Sequence, residues 1–193
     1  MNLKDLDKAV NKTPPGSDGL VLLPYFEGER TPNAPDGTGV WLGVNPRTNK
    51  PEYYARASME GATMTMNYGL NRMRQLGINP TEIRITGGGS NSPAWRRILA
   101  DVFNVEVVGM THSEGAAFGG ALQARWAYAN EKGEKLSIEE LAKALVKTDD
   151  STRVSPDPDN VKTYRKLQAL HDKLSEALRP VFPEHQQFIS GKD

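Results

Sequence analysis

The apolar positions of this chain first form two runs of strand length. Residues 20–26 and 40–44 are apolar, and the segment between them is rich in Gly and Pro. Such runs predict two strands that pair as an antiparallel hairpin with a long connection. Residues 1–19 precede them as a short amphipathic piece followed by a Pro- and Gly-containing turn.

The longest helical repeat covers residues 53–76. One face of this helix is formed by residues spaced four and three positions apart, namely Met59, Thr63, Met66, Leu70 and Met73. This spacing is typical of a single helix face, and we interpret the methionine stripe as core.

A strand, a glycine turn and a helix then follow. The alternating run over 82–86 predicts the strand, and the repeat over 93–103 predicts the helix. Ser92 suits the N-cap of that helix, since its side chain can accept a backbone hydrogen bond. Between strand and helix lie Gly87, Gly88 and Gly89. Glycines let a ligand approach the backbone, and free N–H groups at a helix start favour phosphate. The spacing leaves two alternatives open: a phosphate-binding turn, or a tight turn without a ligand.

The second half of the chain predicts one more strand and three helices. Residues 105–108 form the strand, and Ser113 would cap a helix that runs to about residue 130. That helix is dense in Gly and Ala, and we attribute Gly119 and Gly120 mainly to tight helix–sheet packing rather than to a ligand. The remaining features are a capping box at 137–140, a loop over 149–159 and a last helix from Pro158 that ends by Pro180. The order of elements predicts an α/β fold with a mixed sheet flanked by helices.

Composition narrows the class of protein. The chain has 193 residues, 24 basic and 24 acidic side chains and no cysteine. Without a basic stripe, nucleic acid is not expected as a partner, and disulfide and thiol chemistry are excluded. No apolar run approaches the ~20 residues of a membrane-spanning helix, so no membrane partner is expected. The lack of cysteine fits a cytoplasmic protein.

Common nucleotide and catalytic motifs are absent. The chain contains no P-loop sequence, and the dinucleotide fingerprint fails because Ser92 stands where its third glycine would be. His112, His171 and His185 show no metal-ligand spacing, and we expect His171 to be solvated. Arg30 lies in a loop, where it would pair either with an anion or with local carbonyls.

Three segments resemble the C-terminal domain of the FGGY carbohydrate kinases. Residues 19–32 read GLVLLPYFEGERTP and are similar to a run in the xylulose kinases of that family. Residues 56–61 read RASMEG, like the start of the family's long helix, and 87–121 resemble its glycine-turn and small-residue-helix segments. The resemblance covers residues 14–128; residues 131–160 match nothing in it, and Trp126 and Tyr128 are bulkier than is usual there.

The resemblance implies an actin-like, ribonuclease-H-like fold and ATP-dependent phosphorylation of a sugar hydroxyl with Mg²⁺. It places Gly87, Gly88 and Gly89 at the adenosine and α-phosphate end of the nucleotide. It also places Ser92 near the adenine, a role that competes with N-capping. We expect the core of the domain at 1–130 and peripheral helices at 131–193.

The resemblance also implies what this chain lacks. The catalytic aspartate, most sugar contacts and the other phosphate loops belong to preceding parts of family members, so we expect an excised C-terminal domain without a catalytic residue or metal ligand of its own. The expected partners are ATP or ADP and a sugar, with D-xylulose favoured. Another sugar of the family (ribulose, gluconate or glycerol), a non-catalytic nucleotide-binding module and a homodimer stay open.

Overall fold

The computed structural model describes residues 3–112 and 114–191. Its helices are α1 Leu3–Asn11, α2 Pro51–Gln75, α3 Pro93–Phe103, α4 Gly115–Glu131, α5 Ile138–Leu145, α6 Pro158–Leu178 and α7 Val181–Ser190. Its strands are β1 Val21–Pro24, β2 Gly39–Leu42, β3 Glu82–Ile85, β4 Glu106–Met110 and β5 Thr148–Val154. The expected cap at Ser113 lies outside the described residues.

The described strands form two sheets. β1 and β2 pair antiparallel, with Val21 opposite Leu42, which confirms the predicted hairpin. The second sheet has the order β3-β4-β5; β3 is parallel to β4, and β5 is antiparallel to it. The predicted mixed sheet flanked by helices is therefore confirmed. Within the part of the chain that the structure describes, no strand pairs with the outer edge of β3.

The main core lies where α2, α3 and α6 meet one another and the sheet. Its buried members include Met64 of α2, Ile98 of α3, Val107 of β4 and Tyr164 of α6. The hairpin is attached to this core through α2, because Gly61 lets the helix approach the carbonyl of Leu22 so closely that any Cβ there would overlap it. The interior is thus built by helices on one face of a small sheet.

A buried ion pair in the first half of α2 ties distant segments together. Arg56 Nε donates to Glu60 Oε1 at 2.7 Å, and Glu60 is fully buried. The same carboxylate accepts from the Gly16 N–H at 2.9 Å and the Ser17 hydroxyl at 2.8 Å. Tyr164 of α6 donates its hydroxyl to Glu60 Oε1 at 2.7 Å. Burial raises the pKa of the Tyr164 phenol and the nearby Glu60 carboxylate adds to the rise, so the phenol keeps its proton.

Two of the predicted core methionines are exposed. Met59 and Leu70 are buried as expected, but Met66 is 49% and Met73 44% exposed. The structural reason is that α2 packs on α1, α3 and the hairpin through other faces. The Met66 and Met73 side chains line an apolar cavity together with Ile83 and Ile85 of β3.

The polar segment predicted as loop over 149–159 is partly a strand. Residues 148–154 form β5, because the edge of β4 offers backbone hydrogen-bonding groups whatever the side chains are. A further helix, α7, follows the predicted last helix, so Pro180 marks a break between helices rather than the end of helical structure, and Pro183 lies in the first turn of α7. The division of the domain at residue 130 stays a prediction, although α6 contributes Tyr164 and Leu167 to the main core.

The interpretation of Gly119 and Gly120 as packing positions is wrong. A Cβ at either residue would meet no atom within 4 Å. Helix α4 contacts mainly α5, and only Leu122 and Ala129 are buried among its described side chains. The close approach occurs instead at Gly115, where a Cβ would lie 3.0 Å from Thr86 Oγ1.

The expectation that His171 is solvated is also wrong. The side chain is 1% exposed, and neither ring nitrogen has a hydrogen-bond partner among the described residues. His171 lies four positions after Leu167 and four before Ser175, both buried, so it shares the inward face of α6. The four-residue spacing of His171 from Leu167 is by itself sufficient to predict that it lies on the inward face of α6.

Gly61→Ala and Gly120→Ala should change stability in opposite directions. Both residues are in helix interiors, where alanine is favoured over glycine by about 1 kcal/mol. At Gly120 this gain should raise the melting temperature by about 2–4 °C. At Gly61 the new Cβ overlaps Leu22, and overpacking should cost about 1–3 kcal/mol. Thermal unfolding of the two variants measures both effects; equal shifts would contradict the close packing at Gly61.

Glu60→Gln should destabilise the chain much more than Tyr164→Phe. The first change leaves the Arg56 guanidinium buried without its counter-charge, which costs about 3–5 kcal/mol. The second removes one hydroxyl from the network at a cost of about 1–3 kcal/mol. Urea unfolding of both variants gives the comparison, and an equal loss would show that the charge of Glu60 is unimportant.

Candidate functional site

The glycine turn lies at the carboxyl end of β3 and leads into α3. Gly87 has φ 87° and ψ 178°, and a 3₁₀ turn over Gly88–Asn91 precedes the helix. The Ser90 N–H donates to the Gly87 carbonyl and the Ser92 N–H to the Gly89 carbonyl, both at 3.1 Å. The predicted order of strand, turn and helix is therefore confirmed.

The structural reason for having glycine differs among the three positions of the turn. Gly87 occupies a backbone region that is essentially restricted to glycine. At Gly89 a Cβ would lie 2.8 Å from the indole ring of Trp95, so the residue is small because of packing. At Gly88 a Cβ would meet nothing within 4 Å, and φ is not in the left-handed region. The fold of the described residues therefore accounts for Gly87 and Gly89 but not for Gly88.

The turn presents unused backbone donors. Among the described residues, no hydrogen bond is made by the N–H groups of Gly88 or Gly89. Consecutive free N–H groups in a turn form a concave site for anions, and the start of α3 adds a positive partial charge. The turn is thus chemically suited to a phosphate.

Ser92 performs the capping role that the sequence predicts. It is fully buried, its Oγ accepts the Trp95 N–H at 3.0 Å, and its hydroxyl donates to Asp7 Oδ1 of α1. The Ser92 hydroxyl is consequently engaged on the protein side of the turn.

Two further side chains hold the turn in place. Trp95 Nε1 donates to Thr63 Oγ1 of α2 at 3.0 Å, and Arg96 Nη1 donates to the Ser90 carbonyl at 2.6 Å. Sequence reasoning missed Arg96, Thr63 and Asp7. For Asp7 no signal exists, because it lies 85 positions before its partner. For Arg96 the helical spacing after Ser92 could have placed its side chain near the turn.

An apolar cavity of about 600 Å³ lies beside the turn. Its walls come from α2, β3 and α3, and Met66, Met73 and Trp95 contribute to them together with Gly89 and Ser90. A cavity of this size and polarity can hold a flat organic ring. The exposed methionines of α2 therefore border the candidate site.

The other predicted candidates lie elsewhere. His112 lines a smaller cavity of about 270 Å³ with Thr86, and its ring centroid is 4.7 Å from that of Phe118. Arg30 is exposed, and its guanidinium makes no hydrogen bond or ion pair within the described part of the chain. The pairing of Arg30 with local carbonyls is therefore not seen, and its pairing with an anion stays a prediction.

Over residues 3–112 and 114–191, no group of three or more His, Cys, Asp or Glu side chains is arranged to hold a metal ion. Nor does any helix in these ranges have the length and hydrophobicity needed to cross a membrane.

Comparison with known proteins identifies the family. Residues 2–128 match the model of the FGGY family of carbohydrate kinases, C-terminal domain. The chain belongs to the FGGY family. Xylulose kinase of Haemophilus influenzae is 38% identical to this chain over 165 residues. The matched region covers 86% of this chain and 32% of that protein. Gluconokinase of Bacillus licheniformis is 30% identical over 97% of this chain and 36% of its own length.

Solved structures agree with the family. Ligand-bound xylulose kinase from Lactobacillus acidophilus superposes with a TM-score of 0.81 at 26% identity, covering 94% of this chain and 36% of that one. Gluconate kinase from the same species gives the same TM-score and coverage at 27% identity. The actin-like, ribonuclease-H-like fold is therefore confirmed. The chain spans about a third of the length of these FGGY proteins.

The link between Ser92 and Asp7 should be measurable as an energetic coupling. Ser92→Ala removes the helix cap and should cost about 1–2 kcal/mol. Asp7→Ala removes the same Ser92–Asp7 bond, so the double variant should lose less than the sum, with a coupling of about 0.5–3 kcal/mol. Glu131→Ala, which removes an exposed carboxylate at the end of α4, is the control and should change stability by less than about 0.5 kcal/mol. Additive losses in urea unfolding would show that the two residues do not interact.

Proposed function

We propose that this chain is the nucleotide-binding C-terminal part of an ATP-dependent sugar kinase that converts D-xylulose to D-xylulose 5-phosphate. The observation that carries the nucleotide site is Gly88. Its side chain is absent although neither its backbone conformation nor the packing around it requires glycine. Access of a ligand to the backbone gives a reason for that absence.

In this proposal the backbone of the turn holds the nucleotide. The free N–H groups of Gly88 and Gly89 donate to phosphate oxygens, and the α3 N-terminus stabilises the negative charge. The adenine ring lies in the neighbouring apolar cavity, against Met66 and Trp95. Gly87 and Ser92 give the turn its shape, and Ser92 acts through the helix cap.

Phosphoryl transfer itself needs more than these groups supply. It depends on positioning and on stabilising the charge of the transferred group, to which Mg²⁺ contributes when bound. Among the described residues, no group of three or more His, Cys, Asp or Glu side chains is arranged to hold a metal ion, and we assign none of them to Mg²⁺. The role proposed for this chain is therefore to bind and orient the nucleotide.

The choice of sugar rests on the relatives. Proteins named xylulose kinase are 38% and 29% identical to this chain in Haemophilus influenzae and Bacillus subtilis. Gluconate is the second candidate, because gluconokinases match nearly the whole chain at 30% and 29% identity. We further propose a cytoplasmic location, where ATP is supplied, and keep the homodimer as an open prediction.

Gly88→Val should abolish nucleotide binding without disturbing the fold. For the 193-residue chain we expect an ATP Kd of about 1 mM, equivalent to about 4 kcal/mol, as only one side of the nucleotide is held. A Cβ at residue 88 would meet no protein atom within 4 Å, so we expect a valine there to occupy the space of the ligand rather than to disturb the fold. Gly120→Val is the matched control, since its Cβ also meets nothing. Gly89→Val is unsuitable, because it also displaces Trp95.

The binding experiment is a calorimetric titration with ATP and ADP, with thermal unfolding to check each variant. Equal affinity in the Gly88→Val variant and the unmodified chain would exclude the turn as the nucleotide site. In a full-length relative that carries this domain, the same change should raise the ATP KM far more than the sugar KM.

A coupled assay of ADP release, with D-xylulose and with gluconate as sugars, tests whether this chain catalyses phosphoryl transfer by itself. We expect no sugar-dependent ADP release from the 193-residue chain alone, since water is not excluded from a half-site. Turnover by this chain alone would contradict the proposed division of labour.

A further inference from the structure

A polar cavity of about 570 Å³ lies at the other end of the sheet from the glycine turn. It is enclosed by the second half of α2, the end of α3 and α6. Pro80, shortly before β3, and Val105, just before β4, belong to its wall. The glycine turn follows the opposite end of β3, which is four residues or about 13 Å long at ~3.3 Å per residue. The cavity is therefore separate from the glycine turn, although Phe103 lines both this cavity and the apolar cavity beside the turn.

Two arginines converge on this cavity. Arg74 donates to Asn71 Oδ1 at 2.9 Å and to the Phe103 carbonyl, so part of its guanidinium is used to cap α3. Burial and the nearby charge of Arg165 lower the pKa of Arg74. Arg165 itself is exposed, and within the described residues its guanidinium makes no hydrogen bond or ion pair. The Arg74 guanidinium thus has a structural role in capping α3, whereas the Arg165 guanidinium has no such role among the described residues.

The single carboxylate among the described lining residues does not neutralise both arginines. Asp172 lines the cavity from α6, and its Oδ1 accepts the Gln168 Nε2 at 2.7 Å. The lining therefore combines two cations with one anion that is already hydrogen-bonded. Forked guanidinium groups suit the geometry and charge of a phosphate.

A buried acceptor in the wall also lacks a partner. Asn67 is 5% exposed and lines the cavity, and its Oδ1 makes no hydrogen bond among the described residues. The orientation of this amide follows from its neighbour. Gln168 Nε2 donates to Asp172 and to the Met64 carbonyl, so Gln168 Oε1 must face Asn67 and accept its Nδ2 at 3.0 Å. Asn67 Oδ1 is left needing a donor, and a hydroxyl group can supply one.

We propose that this cavity binds a small hydroxylated phosphate ester, with the phosphate between Arg74 and Arg165 and a hydroxyl donating to Asn67 Oδ1. The volume fits a ligand of this kind, since small-molecule sites range over about 300–1,000 Å³. The site does not depend on the proposed kinase activity, because it shares no polar group with the glycine turn.

Ribose 5-phosphate is the probe, titrated calorimetrically into the 193-residue chain. We expect saturable binding that is about tenfold tighter than that of n-butyl phosphate, which carries the same charged group without hydroxyls. Ribose without phosphate should not bind measurably. These comparisons use the unmodified chain, so they do not depend on the folding of any variant.

Arg165→Ala should weaken ribose 5-phosphate binding at least about tenfold, as expected for a lost charge-assisted contact. Lys166→Ala is the matched control, because it removes the adjacent positive charge of α6 from a residue outside the cavity wall. Asn67→Leu should reduce the affinity for ribose 5-phosphate to that for n-butyl phosphate. Gly88→Val should leave binding unchanged.

Three results would overturn the proposal. Equal losses in the Arg165→Ala and Lys166→Ala variants would show general charge attraction rather than a site. Equal affinities for ribose 5-phosphate and n-butyl phosphate would show that no hydroxyl is recognised and that water satisfies Asn67. Absence of saturable binding at about 10 mM ligand, corresponding to less than about 3 kcal/mol, would exclude the site altogether.

Discussion

The buried carboxylate of Glu60 is the constraint on which the arrangement of helices depends. A charge in the interior must be paired and hydrogen-bonded, and Glu60 is satisfied only when four groups converge on it. They come from Arg56 on the same helix, from Gly16 and Ser17 before the hairpin, and from Tyr164 on α6. Arg56 extends the network by donating to carbonyls at the end of α1 and just after it. Glu60 and Arg56 together thereby fix α1, the hairpin and α6 relative to α2.

The same arrangement of helices also positions the glycine turn. Because α1 is held against α2, Asp7 lies beside the Ser92 hydroxyl, and because α3 packs on α2, Thr63 receives the indole N–H of Trp95. The turn is thus supported from two helices while its outer surface stays bare. A rigid frame with unused backbone donors loses little entropy when it binds an anion, which favours the nucleotide site that we propose at this turn.

The described residues leave the surface around β3 sparsely covered. The outer edge of β3 has no described partner strand, Met66 and Met73 beside it are exposed, and α4 buries few of its described side chains. These features coincide with a chain that spans about a third of its relatives' length. One face of α2 and most of α4 are therefore left uncovered by the described residues.

Local patterns in the sequence determined the hairpin, the order of strand, glycine turn and helix, and the caps at Ser92 and Ser137. These features depend on backbone conformation and on neighbours within a few residues, so short-range spacing is sufficient to predict them. Tertiary structure alone decided that polar residues 148–154 form a strand, that Met66 is exposed and that Gly88 differs in environment from Gly89. The first two depend on which distant segment lies alongside, and the third depends on the position of the Trp95 indole, which bonds to Thr63 of α2. Neither periodicity nor residue type within one segment encodes those partners.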